Sequence, residues 1–182
     1  QNWVAGIRSA RKLFDQLEAL GFNPRLLNIG GGYPVPLGSA APEIEEIGVA
    51  ISKQLDAFGD HVKVIAEPGR YLVADAGYFV CRVVGTASRG DQRWLYLDAG
   101  FYGGLIEMND LPFNLHTDRS GAKRDWHMAG PTCDSIDVFK KPRQLPQDLQ
   151  ADDFVYIEAG GAYTNSTACE FNGFAMPEVQ FI

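Results

Sequence analysis

"RLLNIGGGYP", Arg25–Pro34, decides the fold. A short apolar run breaks directly into three consecutive glycines. A run without polar alternation suits a strand covered on both faces. Glycines at its end suit a turn where the backbone approaches something closely. Upstream, Trp3, Ile7, Ala10, Phe14 and Leu17 recur at spacings of three and four, which predicts an amphipathic helix capped by Gly21. Downstream, Pro42 opens a second predicted helix, with Glu43, Glu45 and Glu46 in its first turn and Ile44, Ile47, Ile51, Leu55 and Phe58 as its stripe; Gly59 ends it. "VKVIAEPGR", Val62–Arg70, then reads as a second buried strand with a turn at its end. Helix, strand, helix, strand is the order of a parallel sheet under helices.

Two such strands cannot cover both faces of a sheet. Residues 1–74 are therefore expected to be the C-terminal part of a TIM-type (β/α)8 barrel, its last two βα units, with the other strands before Gln1. The chain opens "QNWVAGIRSARKLF", already in helical rhythm and without an initiator Met, which agrees with that expectation.

After Tyr71 the rhythm changes. "AGYFVCRVVGTA", "RWLYLDAG", "DFVYIEAG" and "PEVQFI" are short, aromatic and β-branched, and turn residues separate them. Residues 75–182 are thus expected to form an antiparallel β-barrel or Greek-key domain, and the class is α/β plus β. The polar stretch "NDLPFNLHTDRSGAKRDWH", residues 109–127, reads as a long loop.

Composition narrows the function. The 182 residues carry a formal charge of −7, and no Lys/Arg cluster exceeds a pair, so a nucleic-acid partner is not expected. No apolar run approaches membrane-spanning length, and no membrane association is expected. Three cysteines, Cys81, Cys133 and Cys169, at wide and irregular spacing resemble neither a disulfide framework nor a metal site. A reducing, cytoplasmic setting is expected from them.

Several residues could carry chemistry. Gly30, Gly31 and Gly32 follow a strand, where backbone N–H groups can surround an anion; an ordinary turn would look the same. In parallel barrels the loops after the last two strands often bind phosphate. The second such loop offers Gly69 and the cation Arg70, with Glu67 at the same strand end, either as a site carboxylate or as the partner of Arg70. A phosphate cradle with a carboxylate beside it is what pyridoxal 5'-phosphate requires, because a carboxylate keeps the pyridine nitrogen protonated. "GPTCDSIDVF", Gly130–Phe139, sets Cys133 beside Asp134; Cys133 is either a space-filling thiol or a reactive one.

"LLNIGGGYP", "IAEPGRYLVA", "GPTCDSID" and "EAGGAYT…EFNGF" occur here in the order found in the type III pyridoxal phosphate-dependent decarboxylases, whose fold resembles that of alanine racemase. The sequence is similar to their ornithine/lysine branch, "FYGGLIE" most of all. Diaminopimelate and arginine decarboxylases of the same family are the alternatives, as are a non-catalytic decarboxylase-like binding protein and a racemase. The resemblance implies a decarboxylase of basic amino acids that makes a diamine for polyamine biosynthesis. It also implies a head-to-tail homodimer with shared active sites. Gly30–Gly32, Gly69 and Arg70 would hold the cofactor phosphate, joined by the Tyr163 hydroxyl, and Glu67 would contact the pyridine nitrogen. Cys133 would donate a proton to the carbon that loses CO2, and Asp134 would bind the distal ammonium of the substrate. Tyr102, with Glu107 or Asp110 after it, would face the substrate. The family's cofactor-bearing lysine lies in an N-terminal motif, and none of Lys12, Lys53, Lys63, Lys123, Lys140 and Lys141 stands in such a motif, so the chain by itself is expected to be inactive.

Overall fold

The structure, a computed structural model, describes residues 2–182. It divides into two compact units: the chain up to Val35 with Ala40–Leu72, and Pro36–Ser39 with Val73–Ile182.

In the first unit, helix α1 (Asn2–Ala19) leads to strand β1 (Leu26–Asn28), and helix α2 (Ile44–Leu55) leads to β2 (Lys63–Ile65). The strands pair in parallel, Leu27 opposite Val64. α1 stops where its sequence says it should. Gly21 takes a left-handed φ of 85°, Phe22 N–H donates to Leu17 O and Gly21 N–H to Glu18 O. That is a Schellman motif, which satisfies carbonyls the helix end would leave unpaired. α2 begins at Ile44 rather than at Pro42, with Glu43 as its N-cap and Glu45 and Glu46 in the first turn. Both apolar stripes meet in one core of Ile7, Phe14, Leu27, Tyr33, Ile47, Ile51, Phe58 and Val62. Phe14 meets Phe58 edge-on, with ring centroids 5.1 Å apart. Each large side chain buried there contributes on the order of 1.5–3 kcal/mol. A short helix, α3 (Arg70–Val73), follows the "EPG" turn.

The second unit is a six-stranded sheet built from β3 (Phe79–Arg89), β4 (Gln92–Leu97), β5 (Leu115–Thr117), β6 (Lys123–Ala129), β7 (Arg143–Pro146) and β8 (Phe154–Ile157), in the order β5-β8-β3-β4-β6-β7. The edge strands β5 and β7 approach each other, which makes it a nearly closed barrel. Strict alternation builds its interior. Phe79, Cys81 and Val83 point in from β3, Leu95 and Leu97 from β4, Trp126 and Met128 from β6, and Val155 and Ile157 from β8. The buried Trp126 indole N–H donates to Pro146 O at 2.9 Å, so the ring enters the core without an orphaned donor.

Three expectations are corrected. The sheet is mixed, not antiparallel: β4 and β6 run parallel, Leu95 opposite Met128. The presumed loop at 109–127 contributes β5 and most of β6. "PEVQFI" forms no strand; Val179, Phe181 and Ile182 are exposed despite their β-favouring composition, and no backbone bond ties the segment to another strand among the described residues.

Candidate active site

In the first unit the glycine loop and the "EPGR" turn are tied together. Ile29 N–H donates to Ile65 O, and Glu67 N–H donates to Gly30 O, both at 2.9 Å. Asn28, the last residue of β1, bridges the two: its Oδ1 accepts from Gly30 N–H at 2.8 Å and its Nδ2 donates to Glu67 Oε1 at 2.5 Å. Gly30 and Gly32 have φ of 73° and 80°, a region that side chains with a Cβ rarely occupy. Gly31 is required for a different reason, because a Cβ there would collide with the Glu67 carbonyl oxygen. The N–H groups of Gly31 and Gly32 donate to no protein acceptor among the described residues. Gly69, φ 41°, turns the chain into α3, whose first residue is Arg70.

This arrangement fits a phosphate beside a protonated ring nitrogen. Two adjacent backbone donors lack partners among the described residues at the carboxyl end of a parallel strand, a guanidinium starts the neighbouring turn, and Glu67 is exposed with one oxygen fixed by Asn28. Asn28 was not anticipated, although its place between "LL" and "IGGG" was a usable signal.

The second unit gathers Tyr102, Cys133 and Asp134. Tyr102 lies in one π-type turn (Phe101–Leu105), and Cys133 and Asp134 lie in the loop after β6. The Tyr102 hydroxyl donates to Asp134 Oδ2 at 2.5 Å, and Ile136 N–H donates to Oδ1 at 3.1 Å. The hydrogen bond from Tyr102 and that from Ile136 hold the Asp134 carboxyl below the usual aspartate range. The same bond to Asp134, with some desolvation, pushes the Tyr102 phenol up to about 12. Asp134 is thus kept as an anion. Cys133 is exposed, and its sulfur accepts from Asn172 Nδ2 at 3.1 Å. Cys81 is the opposite case: wholly enclosed, with burial pushing its thiol far up.

Asp137 holds this site in shape, and nothing in the sequence singled it out. It is 2% exposed. Its Oδ1 accepts from Phe101 N–H at 2.7 Å, and its Oδ2 from Thr132 N–H at 3.0 Å and the Thr132 hydroxyl at 2.7 Å. One carboxylate therefore links the residue before Tyr102 to the residue before Cys133. Gly100 and Gly130 pack against it so closely that a Cβ on either would overlap its oxygens. Those two glycines were the available signal.

Tyr163 is about half exposed, at φ 69°, and caps the short helix α4 (Thr164–Thr167). Its left-handed backbone lets its carbonyl accept from Thr167 N–H at 2.9 Å. Gly160 and Gly161 before it donate to Gly77 O and Ala74 O, which anchors the turn to the start of the unit. The two acidic candidates after Tyr102 separate from it. Asp110 is exposed and paired with Lys140 at 3.1 Å. Glu107 is half-buried on a 3-10 turn (Ile106–Asn109) and lines neither of the cavities beside Tyr102 and Cys133.

Among known proteins, the family of pyridoxal-dependent decarboxylases, C-terminal sheet domain, matches residues 33–161. The lysine/ornithine decarboxylase of Selenomonas ruminantium is 38% identical over 91% of this chain and 42% of its own length. The crystal structure of lysine/ornithine decarboxylase from Vibrio vulnificus, complexed with cadaverine, superposes with a TM-score of 0.85 at 35% identity, over 96% of this chain and 49% of that one. Diaminopimelate decarboxylase from Helicobacter pylori, complexed with L-lysine, superposes with a TM-score of 0.81 at 26% identity, over 97% of this chain and 44% of that one. The chain thus spans less than half the length of the relatives it matches. With the sheet topology, the glycine cradle and the Tyr102–Asp134–Cys133 cluster, these likenesses show that the chain belongs to the pyridoxal-dependent decarboxylase family.

Proposed function

We propose that the protein containing this chain decarboxylates a basic amino acid of the lysine or ornithine type and releases a diamine. Pyridoxal phosphate supplies the electron sink for loss of CO2 when bound. Gly30–Gly32, Gly69, Arg70 and Tyr163 would hold its phosphate, and Glu67, whose carboxylate Asn28 steadies, would keep its ring nitrogen protonated. β1 and β2 are then two strands of the cofactor-binding (β/α)8 barrel, residues 1–74, followed by the β domain, residues 75–182. Asp134 receives the distal ammonium of the substrate. Cys133 gives its S–H proton to the carbon left by CO2 and regains one from solvent. We assign Asp134 and Cys133 to the site of the neighbouring subunit in a cytoplasmic homodimer. Glu107 and Asp110 line neither of the cavities beside Tyr102 and Cys133, so the choice between them as a further substrate-facing acid rests on the family resemblance alone.

The observation that carries this reading is the Asp134 carboxylate, held as an anion by Tyr102 and Ile136 immediately beside an exposed thiol. A distal ammonium needs a fixed anion, and protonation at carbon needs an acid within reach. The test is to supply the full-length protein with ornithine, lysine, diaminopimelate and arginine, and to quantify CO2, amine and aldehyde. Cys133→Ala should still release CO2 but divert product to aldehyde, since the proton then arrives at the wrong carbon. Asp134→Ala should raise KM, with loss of a charge-assisted contact worth roughly 1.5–3 kcal/mol. No CO2 from any of the four substrates would favour a non-catalytic relative.

A further inference from the structure

The segment Phe171–Phe174 touches both halves of the second-unit cluster. Phe171 lies flat on Tyr102, with ring centroids 3.8 Å apart and planes at 14°. Next in the chain, Asn172 donates its amide to Cys133 Sγ at 3.1 Å. The segment is a tight turn: Phe171 and Phe174 form an antiparallel bridge, Asn172 has φ 52° and Gly173 φ 80°. Two consecutive left-handed residues reverse the chain within two positions, and asparagine is one of the few side chains that accept this conformation. The turn is anchored at its base, where Cys169 N–H donates to Tyr102 O at 2.9 Å.

We propose that this turn is a positioning element, in which Asn172 fixes where the Cys133 thiol points and Phe171 fixes the Tyr102–Asp134 pair. Cys133 is exposed, so no packed wall selects its rotamer, and the Asn172 amide is the directional contact that does so. Tyr102 is held from three sides: by the Phe171 face, by Phe101 edge-on at 5.3 Å, and through its hydroxyl on Asp134. Asn172 and Phe171 therefore act on different outcomes of one reaction. Asn172 governs which carbon receives the proton, and Phe171 governs how well the substrate is held. This deepens the decarboxylase reading and rests on it.

The test uses the full-length enzyme and variants chosen to spare the backbone. Asn172→Gly removes the amide while keeping a residue at ease at positive φ. Asn172→Asp keeps the size and replaces the donor by an acceptor. In crystals of the wild-type enzyme Cys133 Sγ should occupy one rotamer within reach of Asn172; in both variants it should spread over at least two. The aldehyde share of product should rise by about tenfold, part of the range that a positioned acid supplies, with CO2 release and KM little changed. Phe171→Leu should raise KM several-fold and leave the diamine-to-aldehyde ratio and kcat unchanged. A single unaltered Cys133 rotamer with a normal product ratio in Asn172→Gly would overturn the role of Asn172. An unchanged KM in Phe171→Leu would overturn that of Phe171. Cys133→Ala separates the two levels of argument: if it too gives normal diamine, the acid assignment fails, whereas diversion in Cys133→Ala but not in Asn172→Gly refutes only the positioning role.

Discussion

Replacing Asp137 by alanine should destabilise the second unit by about 2–4 kcal/mol, because each buried donor left without an acceptor costs about 1–3 kcal/mol. The carboxylate receives three hydrogen bonds at 2.7, 2.7 and 3.0 Å. Bonds to a charged group contribute roughly 1.5–3 kcal/mol each, and the desolvation of the 2% exposed side chain offsets part of that sum. Removal leaves two backbone N–H groups, of Phe101 and Thr132, without acceptors. Thr132→Val deletes one of the three bonds and should cost roughly 1.5–3 kcal/mol. The double variant should cost clearly less than the sum, because the hydroxyl bond is already gone once Asp137 is absent. The assay is urea unfolding of the full-length protein, with Trp fluorescence to follow the second unit through the enclosed Trp126. A change under 0.5 kcal/mol for Asp137→Ala, or strict additivity with Thr132→Val, would refute the network.

The Tyr102 bond sets the acid limb of substrate binding. Because it lowers the Asp134 pKa, the anion survives to lower pH, and binding of an ammonium is lost only as pH falls through that depressed value. Tyr102→Phe should therefore move the acid limb of the kcat/KM profile to higher pH; an unmoved limb would show that Asp134 does not bind substrate. Gly31→Ala should force the glycine loop away from Glu67 and weaken pyridoxal phosphate binding at least tenfold by absorbance titration, whereas unchanged affinity would remove the cradle from consideration. Cys81 should resist a thiol reagent in the native protein and react only on unfolding, given its enclosure and raised pKa.

What the sequence disclosed follows from where periodicity is strong. α1 was legible because five apolar residues keep one face over 18 residues and Gly21 closes the end. β3 and β8 were legible because Cys81, Val83, Val155 and Ile157 alternate with outward residues. β5 and β6 were missed because each shows little apolar signal: β5 is three residues long, and "KRDWHMA" turns only Trp126 and Met128 inward before Ala129. The parallel pairing of β4 with β6 was invisible, because the segment between them has the turn-rich polarity of a loop and not the stripe of a crossover helix. The motifs drew attention to Cys133, Asp134 and Tyr102, the last two of which the structure joins by a hydrogen bond; they did not single out Asp137, three residues after Asp134. Its role depends on two glycine backbones from different loops meeting at one carboxylate, which no local spacing reports.

The strand order also governs when the second unit can form during synthesis. β3 bonds β4 on one side through a local hairpin, with Arg89 opposite Gln92, but on its other side it bonds β8, with Cys81 opposite Val155. The hairpin can close as soon as it leaves the ribosome. The β3–β8 seam must wait until the chain through Ile157 has emerged, so Val80, half exposed on β3, and the unpaired edge around it stay open throughout. Pairings this distant in sequence make folding slow. Delayed closure leaves a strand edge available to neighbouring nascent chains. For the assembled sheet, Phe154–Ile157 acts as the late fastener: a chain halted before it holds the residues of the Tyr102–Asp134 cluster but not the strand that joins β3 to β5.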